Sequence, residues 1–294
     1  MILAVTILIV AWGVSKGIER ANAILLPGIF VILLALLIRV WFLPGAIAGI
    51  LWFLRPDLAR LSLRVVLDAL GQALFSLSLG MGAIVTYGSY LPHNSDVAGS
   101  AFAVAMADLT VALMAGLTIV PVLFAFGISP SDGPGLAFVS LPVVFAALPL
   151  SSLWASLFFT MLLFAALSSS VSMLEVPVSL LLERGRSRRA ASLIAGLPIL
   201  VLGIPSALSA GRLSNLLIGG RTFFDLMDFL SSNILLPIAS LLLVVFVSWV
   251  WGAGQAAQEM GPTRRAGIKT TWLVLVKYIV PVVIVVVLLR GLAW

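Results

Sequence analysis

Long runs of uncharged, apolar residues separated by short polar connections dominate this sequence and limit what it can fold into. A bilayer core about 30 Å thick requires about 20 apolar residues per helix, and several of the runs reach that length. Backbone groups in lipid must be satisfied within the spanning segment, so the runs predict helices, and the alternation of a membrane barrel is absent. Charged residues make up 10% of the chain, where a soluble domain carries roughly a quarter. A soluble enzyme fold is therefore excluded.

Eight stretches that are free or nearly free of charge predict an all-α polytopic membrane protein with about eight transmembrane helices. They cover residues 1–15, 21–44, 66–92, 98–128, 152–182, 190–211, 222–252 and 270–291. The first stretch would rise only about 22 Å at about 1.5 Å per residue, so it is interpreted as a helix cut partway along. Residues 129–151 are apolar but contain four prolines, which predicts an irregular external loop folded over the helix bundle.

Basic residues concentrate at residues 16–20, 184–189 and 264–269, which lie on one side of the membrane if the helices alternate. That pattern places these loops in the cytoplasm of a multi-pass protein of the inner (plasma) membrane. A nucleic-acid surface is the alternative interpretation, but such loops routinely carry basic clusters as topology signals, and no nucleic-acid partner is expected. The chain has no cysteine and one histidine, His93. It carries no phosphate-binding loop and no triad motif, so an enzyme is not predicted.

Polar residues inside the third and fourth stretches are candidates for a site. Gly80 and Gly82, near the hydroxyls of Ser76 and Ser78, permit an unwound turn whose backbone groups can hold a cation or a substrate. Close helix packing is the structural alternative for the glycines. Asp108 is costly at the bilayer centre, so it should face a partner or a wet cavity. It is a candidate sodium ligand, or a protonated acid bonded to a neighbouring helix.

The fifth and seventh stretches carry further candidates. Residues 165–172 concentrate small and hydroxyl side chains whose oxygens suit a hard cation, although polar packing between helices is the alternative. Glu175 is a second intramembrane acid with either a structural or a site role. Glu183 could pair in water with the arginines that follow it. Asp225 and Asp228 begin the seventh stretch, where helix capping alone could explain both.

The third stretch resembles part of a known family. Residues 71–90 are similar to the sixth helix of the neurotransmitter:sodium symporters, including their bacterial amino-acid members. Further similarities to the family occur at residues 15–20, 52–57, 165–169, 225–228 and 277–281. The resemblance covers family helices four to eleven and implies a leucine-transporter-type bundle of inverted repeats, with a helix broken near Gly80 and Gly82. Helices one to three are missing from the resemblance, so an N-terminal truncation is expected.

In this interpretation residues 1–294 form a single membrane domain. Residues 1–44 are the end of the first repeat, 66–252 the second repeat, and 270–291 an additional C-terminal helix. The resemblance implies a sodium-dependent symporter of amino acids or related small amines. Asp108 stands where many relatives have Asn, which implies that chloride is not required, because a fixed carboxylate can balance sodium.

The resemblance also implies roles for individual residues. The predicted substrate contacts are Phe75, Ser76, Ser78, Met81, Ser169 and Met173. The predicted sodium ligands are Ser76, Asp108, Ala165, Ser168 and Ser169. The predicted gating residues are Tyr90, Glu183 and Asp228. The prediction on which the others depend is that Ser76, Asp108, Ser168 and Ser169 converge around a monovalent cation.

Two alternatives remain at this stage. One is a non-transporting membrane subunit or fragment that assembles with a separate partner supplying the missing helices. The other is a membrane-embedded enzyme, which would require Asp108 and Glu175 to act together.

Overall fold

The structure, a computed structural model, describes residues 2–92, 95–128, 136–209, 211–260 and 266–292. These residues form helices joined by short connections, and no β-strand occurs among them. The helices are α1 (Ile2–Ala11), α2 (Arg20–Trp41), α3 (Ala46–Leu54), α4 (Leu63–Ser76), α5 (Ala83–Gly88), α6 (Val97–Ala125), α7 (Leu141–Ala146), α8 (Ser151–Glu183), α9 (Arg188–Leu208), α10 (Phe223–Asp228), α11 (Leu236–Val245), α12 (Ala253–Gln258), α13 (Ala266–Val274) and α14 (Val280–Leu292). Short π-helical segments precede or join several of them, at Val14–Glu19, Leu136–Ser140, Phe229–Leu235, Phe246–Val250 and Leu275–Ile279.

Six helices in the described part of the chain are long and apolar enough to cross a membrane. They are Val14–Trp41, Val97–Ala125, Ser151–Glu183, Arg188–Leu208, Phe223–Val250 and Lys269–Leu292. Each matches one of the eight predicted stretches. The other two stretches are the first, which is helical over the 10 residues of α1, and the third, which is divided between α4 and α5. The all-helical, multi-pass membrane architecture predicted from the sequence is confirmed.

The predicted break near Gly80 and Gly82 is present. Helix α4 ends at Ser76 and α5 begins at Ala83. Both glycines have a φ of +83°, in the left-handed region that glycine adopts without steric strain. Ser78 also has a positive φ, of 52°. The six residues between the two helices therefore leave the helical path.

The first connection differs from the prediction. Gly13, with a φ of 96°, ends α1, and the chain re-enters a helix through the π-helical segment that continues into α2. Lys16 and Arg20 were predicted to lie in a loop and are instead helical. Gly17 allows this close return, because a Cβ there would collide with the carbonyl oxygen of Ile9.

The predicted external loop is more regular than expected. Its residues 129–135 lie outside the described residues, as do His93, Arg264 and Arg265. Residues 136–146, predicted to be irregular, form a π-helical segment and α7. Pro142 lies in the first turn of α7, a position where proline is common.

The chain divides into two compact units, each with its own core. The first unit comprises Met1–Arg60 and Met106–Val171, and the second comprises Leu61–Ala105 and Ser172–Trp294. The core of the first unit joins α2, α6, α7 and α8, with buried residues that include Leu36, Leu123, Val144 and Phe158. The smaller core of the second unit joins α4, α11 and α14 through Leu74, Leu236 and Ile284. The division into repeats stays a prediction.

Candidate functional site

Helix α11 supports the broken segment between α4 and α5 within the second unit. The Ser240 hydroxyl of α11 donates a hydrogen bond to the Leu79 carbonyl oxygen at 3.0 Å. Gly80 approaches the same helix so closely that a Cβ on it would lie 2.7 Å from the Leu236 carbonyl oxygen and 2.8 Å from the Ser240 backbone nitrogen. A glycine at this position and a hydroxyl opposite it therefore hold the opened backbone against α11.

A cavity of about 820 Å³ lies among α4, α10, α11 and α14 in the second unit. Phe75, predicted to contact substrate, and Asp228, predicted as the outer gate acid, both line it. Asp228 accepts a hydrogen bond from the Ser232 hydroxyl at 3.1 Å. Charged residues of both signs surround the cavity, namely Arg64, Asp68, Arg221, Asp225, Asp228 and Arg290. The cavity thus brings together two residues that were predicted from the sequence to have different roles.

Asp225 is not the residue that caps α10. The Thr222 side chain is the N-cap and accepts a hydrogen bond from the Asp225 backbone N–H at 3.2 Å. The Thr222 hydroxyl in turn donates to the Asp225 carboxylate at 2.7 Å. Asp225 lies in the first turn, where its charge is favourable for the helix dipole. Neither carboxylate is therefore the N-cap: Asp225 contributes only its charge in the first turn, and Asp228 lies at the end of α10.

An ion pair on the wall of the same cavity joins the partly buried Arg290 of α14 to the exposed Asp68 of α4. Arg290 Nη1 lies 2.6 Å from Asp68 Oδ1, and Arg290 also donates to the Arg64 carbonyl oxygen at 3.0 Å. The Asp68 side chain is 62% exposed. We expect Arg290→Gln to lower the free energy of unfolding by less than about 1 kcal/mol, because water screens such pairs. Thermal unfolding of the purified protein measures this change in stability. A loss of more than about 1 kcal/mol would contradict the screening of the pair through the exposed Asp68.

A network centred on the buried Glu175 joins the chain just after α5 to α8 and α9. Glu175 of α8 is fully buried, and both its oxygens are bound by Arg188, at 2.9 Å from Nη1 and 3.0 Å from Nη2. The Tyr90 hydroxyl donates to Glu175 Oε1 at 2.7 Å. Close by, the Tyr87 hydroxyl donates to the Ser172 hydroxyl oxygen at 3.0 Å. The segment after the break is therefore anchored by hydrogen bonds at two levels of α8.

This network differs from the pairings expected for the basic loop. Arg188 was grouped with the solvated loop arginines, but it opens α9 and its side chain is only 23% exposed. Tyr90 bonds Glu175, whereas Glu183, about two turns further along α8, is exposed. One signal was available in the sequence, since an acid inside an apolar run requires a partner, but the sequence did not indicate which arginine provides it. Whether Glu183 acts in a gate stays a prediction.

The other predicted sodium ligands lie in the first unit. Ala165, Ser168 and Ser169 occupy positions i, i+3 and i+4 of α8, which place them on one face of the helix. The Ser168 hydroxyl donates a hydrogen bond to Asn22 Oδ1 of α2 at 3.0 Å. Asp108 is half-buried on α6. Ser76 ends α4 in the second unit, so the convergence of these residues around a cation stays a prediction.

Of the remaining predicted substrate contacts, Ser78 and Met81 lie in the broken segment itself and are half-buried. Met173 lies on α8 in the second unit and is 45% exposed, and Ser169 is also exposed. Their contact with a substrate likewise stays a prediction.

Comparison with known proteins decides the family. The sequence pattern of the family described as "Sodium:neurotransmitter symporter family" matches residues 1–293. The chain belongs to the sodium:neurotransmitter symporter family. The resemblance first detected in residues 71–90 is therefore confirmed.

Relatives of this chain include proteins described as bacterial sodium-dependent transporters. An uncharacterized sodium-dependent transporter of Bacillus subtilis is 40% identical over 291 residues, which cover 98% of this chain and 64% of the relative. Another, from Haemophilus influenzae, is 36% identical over 290 residues, with 98% and 63% covered. The solved structure of MhsT in complex with L-phenylalanine is 42% identical, has a TM-score of 0.88, and is matched over 99% of this chain and 66% of its own. The chain thus spans about two thirds of the length of these relatives.

The match to MhsT also confirms the leucine-transporter-type fold predicted for this member of the symporter family. Its 99% coverage of the chain includes the broken helix and the helices that contact it.

Proposed function

We propose that this chain is the transport core of a sodium-dependent symporter that moves an amino acid or a related small amine inward. The observation that carries the proposal is the broken helix, which Gly80 and Gly82 allow to open and which Ser240 holds against α11. A helix opened within the membrane directs amide N–H groups and carbonyl oxygens toward a ligand. Because the chain belongs to the sodium:neurotransmitter symporter family, we interpret this geometry as a transport site.

The chemistry of α8 supports sodium as the coupling ion. The Ala165 carbonyl and the hydroxyls of Ser168 and Ser169 would be hard, neutral oxygen ligands on one helix face. Asp108 would add a fixed negative charge, so chloride would not be required. Sodium is a transported substrate in this mechanism, and its binding would stabilise the conformation in which these oxygens meet.

The proposed pocket favours an apolar amino acid. Phe75 lines the charged cavity just before the break, and Met81 lies within the opened segment, so both offer apolar side chains near the opened backbone. MhsT, a relative with a closely similar fold, was solved with L-phenylalanine. We therefore propose that a substrate side chain contacts Phe75 and Met81 while its charged groups meet the opened backbone.

Alternating access would require a closure on each side of this pocket. The cavity lined by Asp228 would lie on the outer side. The network of Tyr90, Glu175 and Arg188 would form part of the inner closure, because it lies beside the basic connection that is predicted to be cytoplasmic. Opening the inner side would then require Tyr90 to leave Glu175.

Uptake into proteoliposomes tests the proposed function. With an inward sodium gradient, labelled apolar amino acids should accumulate, and replacing sodium with potassium should abolish the accumulation. Replacing chloride with gluconate should leave uptake unchanged. Ser169→Ala should raise the sodium concentration for half-maximal uptake about tenfold, as expected for loss of a metal-site group.

Ser170→Ala is the matched control, because the Ser170 hydroxyl donates to the Ala166 carbonyl oxygen of its own helix. It should leave the sodium dependence of uptake unchanged. Absence of sodium-stimulated uptake of every amino acid would contradict the symporter proposal. If uptake appeared only after a separate membrane protein was added, the alternative of a subunit that assembles with a partner would be favoured.

A further inference from the structure

We infer that Asn22 of α2 is a positioning residue that orients the Ser168 hydroxyl for sodium and thereby sets the sodium affinity. The inference rests on the proposed function, because it takes Ser168 as a sodium ligand. Asn22 would not touch the ion itself. Its amide oxygen accepts the hydrogen of the Ser168 hydroxyl at 3.0 Å.

The contact between Asn22 and Ser168 belongs to a close packing of α2 on α8 within the first unit. Gly28 of α2 lies so near α8 that a Cβ on it would be 2.8 Å from Phe164 Cε2. Moving from Gly28 back to Asn22 corresponds to moving from Phe164 forward to Ser168, so the two helices run antiparallel here. Asn22 is half-buried at this contact. The close approach of Gly28 to Phe164, beside the hydrogen bond, therefore helps to hold Asn22 opposite Ser168.

The chemistry of a hydroxyl ligand explains why an acceptor matters. A serine oxygen that binds a cation must turn its lone pairs toward the ion, so its hydrogen points away and requires an acceptor. Inside a helix the usual acceptor is the carbonyl four residues earlier, as for Ser170, which donates to Ala166 at 2.6 Å. Asn22 offers Ser168 an acceptor on a neighbouring helix. Such outer groups fix ligand orientation and make the ligand oxygen a better donor to the metal.

No local pattern in the sequence indicates this role. Asn22 is an isolated polar residue at the start of an apolar run, within a helix whose first turns are charged. Only the packing of α2 on α8 places its side chain opposite residue 168.

Two substitutions of similar size separate the acceptor oxygen from packing. Asn22→Leu removes the acceptor, whereas Asn22→Asp keeps an acceptor oxygen and removes the amide NH₂ group. The readouts are equilibrium binding of ²²Na⁺ to the purified protein without amino acid, and the concentration of amino acid for half-maximal uptake at saturating sodium. Both are measured in the wild-type and Ser168→Ala backgrounds.

We expect Asn22→Leu to weaken sodium binding about tenfold, the usual scale for loss of an outer hydrogen bond at a metal site. Asn22→Asp should bind sodium at least as well as the wild type. The amino-acid requirement at saturating sodium should not change. In the Ser168→Ala background, Asn22→Leu should have no further effect on sodium binding, because the hydroxyl that it orients is gone.

The outcomes distinguish this inference from the proposed function. If the wild type binds sodium and Asn22→Leu binds it equally well, the inference is wrong and the symporter proposal stands. If both variants weaken sodium binding equally, or if Asn22→Leu acts fully in the Ser168→Ala background, Asn22 acts through packing and the inference is overturned. If the wild type binds no sodium, both proposals fail together.

Discussion

Replacing Gly80 with alanine is expected to destabilise the protein strongly and to abolish transport. The φ of +83° at Gly80 is unfavourable for any residue with a Cβ, by about 1–2 kcal/mol. The new methyl group would also collide with the Ser240 side chain and lie 2.7 Å from the Leu236 carbonyl oxygen. These atoms belong to the helix that holds the break, so relieving the overlap would displace α11, at a further cost of about 1–3 kcal/mol.

The thermal unfolding midpoint and sodium-driven uptake measure this effect. Gly185→Ala is the matched control, because Gly185 has a φ of +78° and a Cβ on it would meet no other atom within 4 Å. It carries the same backbone strain without the steric overlap. A Gly80→Ala protein as stable as the Gly185→Ala protein would contradict the close contact between the broken segment and α11.

Removing the Arg188 side chain is expected to be the most destabilising single change of a charged residue described above. Arg188→Ala leaves the Glu175 carboxylate, which is fully buried, without its cation. Breaking a buried pair in this way typically costs about 3–5 kcal/mol. Arg188→Lys should restore only part of the loss, because lysine cannot bind both carboxylate oxygens in the same fork.

A double variant tests the physical cause. Glu175→Gln in the Arg188→Ala background should unfold at a higher temperature than Arg188→Ala alone, because no unpaired charge remains buried. Arg290→Gln is the control, because the Arg290 side chain is exposed to a similar extent, at 25%, but its acid partner Asp68 is 62% exposed rather than buried. If Arg188→Ala were no more destabilising than Arg290→Gln, the burial of the pair would be contradicted.

The helical elements could be predicted because a segment in lipid must satisfy its own backbone hydrogen bonds. Apolar runs of sufficient length become spanning helices, and the pair Gly80 and Gly82 marks the break through backbone freedom that other residues lack. Residues 136–146 were harder, since they belong to a stretch, 129–151, whose four prolines suggest irregular backbone, while the position of Pro142 in the first turn of α7 is compatible with a helix.

Side-chain contacts between different helices could not be predicted from the sequence. Arg188 stands among several loop arginines, and nothing local distinguishes the one whose side chain turns inward to Glu175. Asn22 is likewise an isolated polar residue in the sequence, and only the packing of α2 on α8 shows its contact with Ser168. In both cases the rotation of one helix against another decides the contact, and that rotation depends on the summed packing of residues far apart in the chain.

The hydrogen bond between Ser240 and Leu79 joins residues 161 positions apart. During synthesis the opened backbone emerges long before its supporting helix has been made. An unsatisfied carbonyl in lipid is costly. We therefore expect residues 77–82 to stay helical, or to stay near the membrane surface, until residue 240 is inserted. The opened turn is then among the last features to mature, and a chain whose synthesis stopped before that point would lack the support of its broken helix.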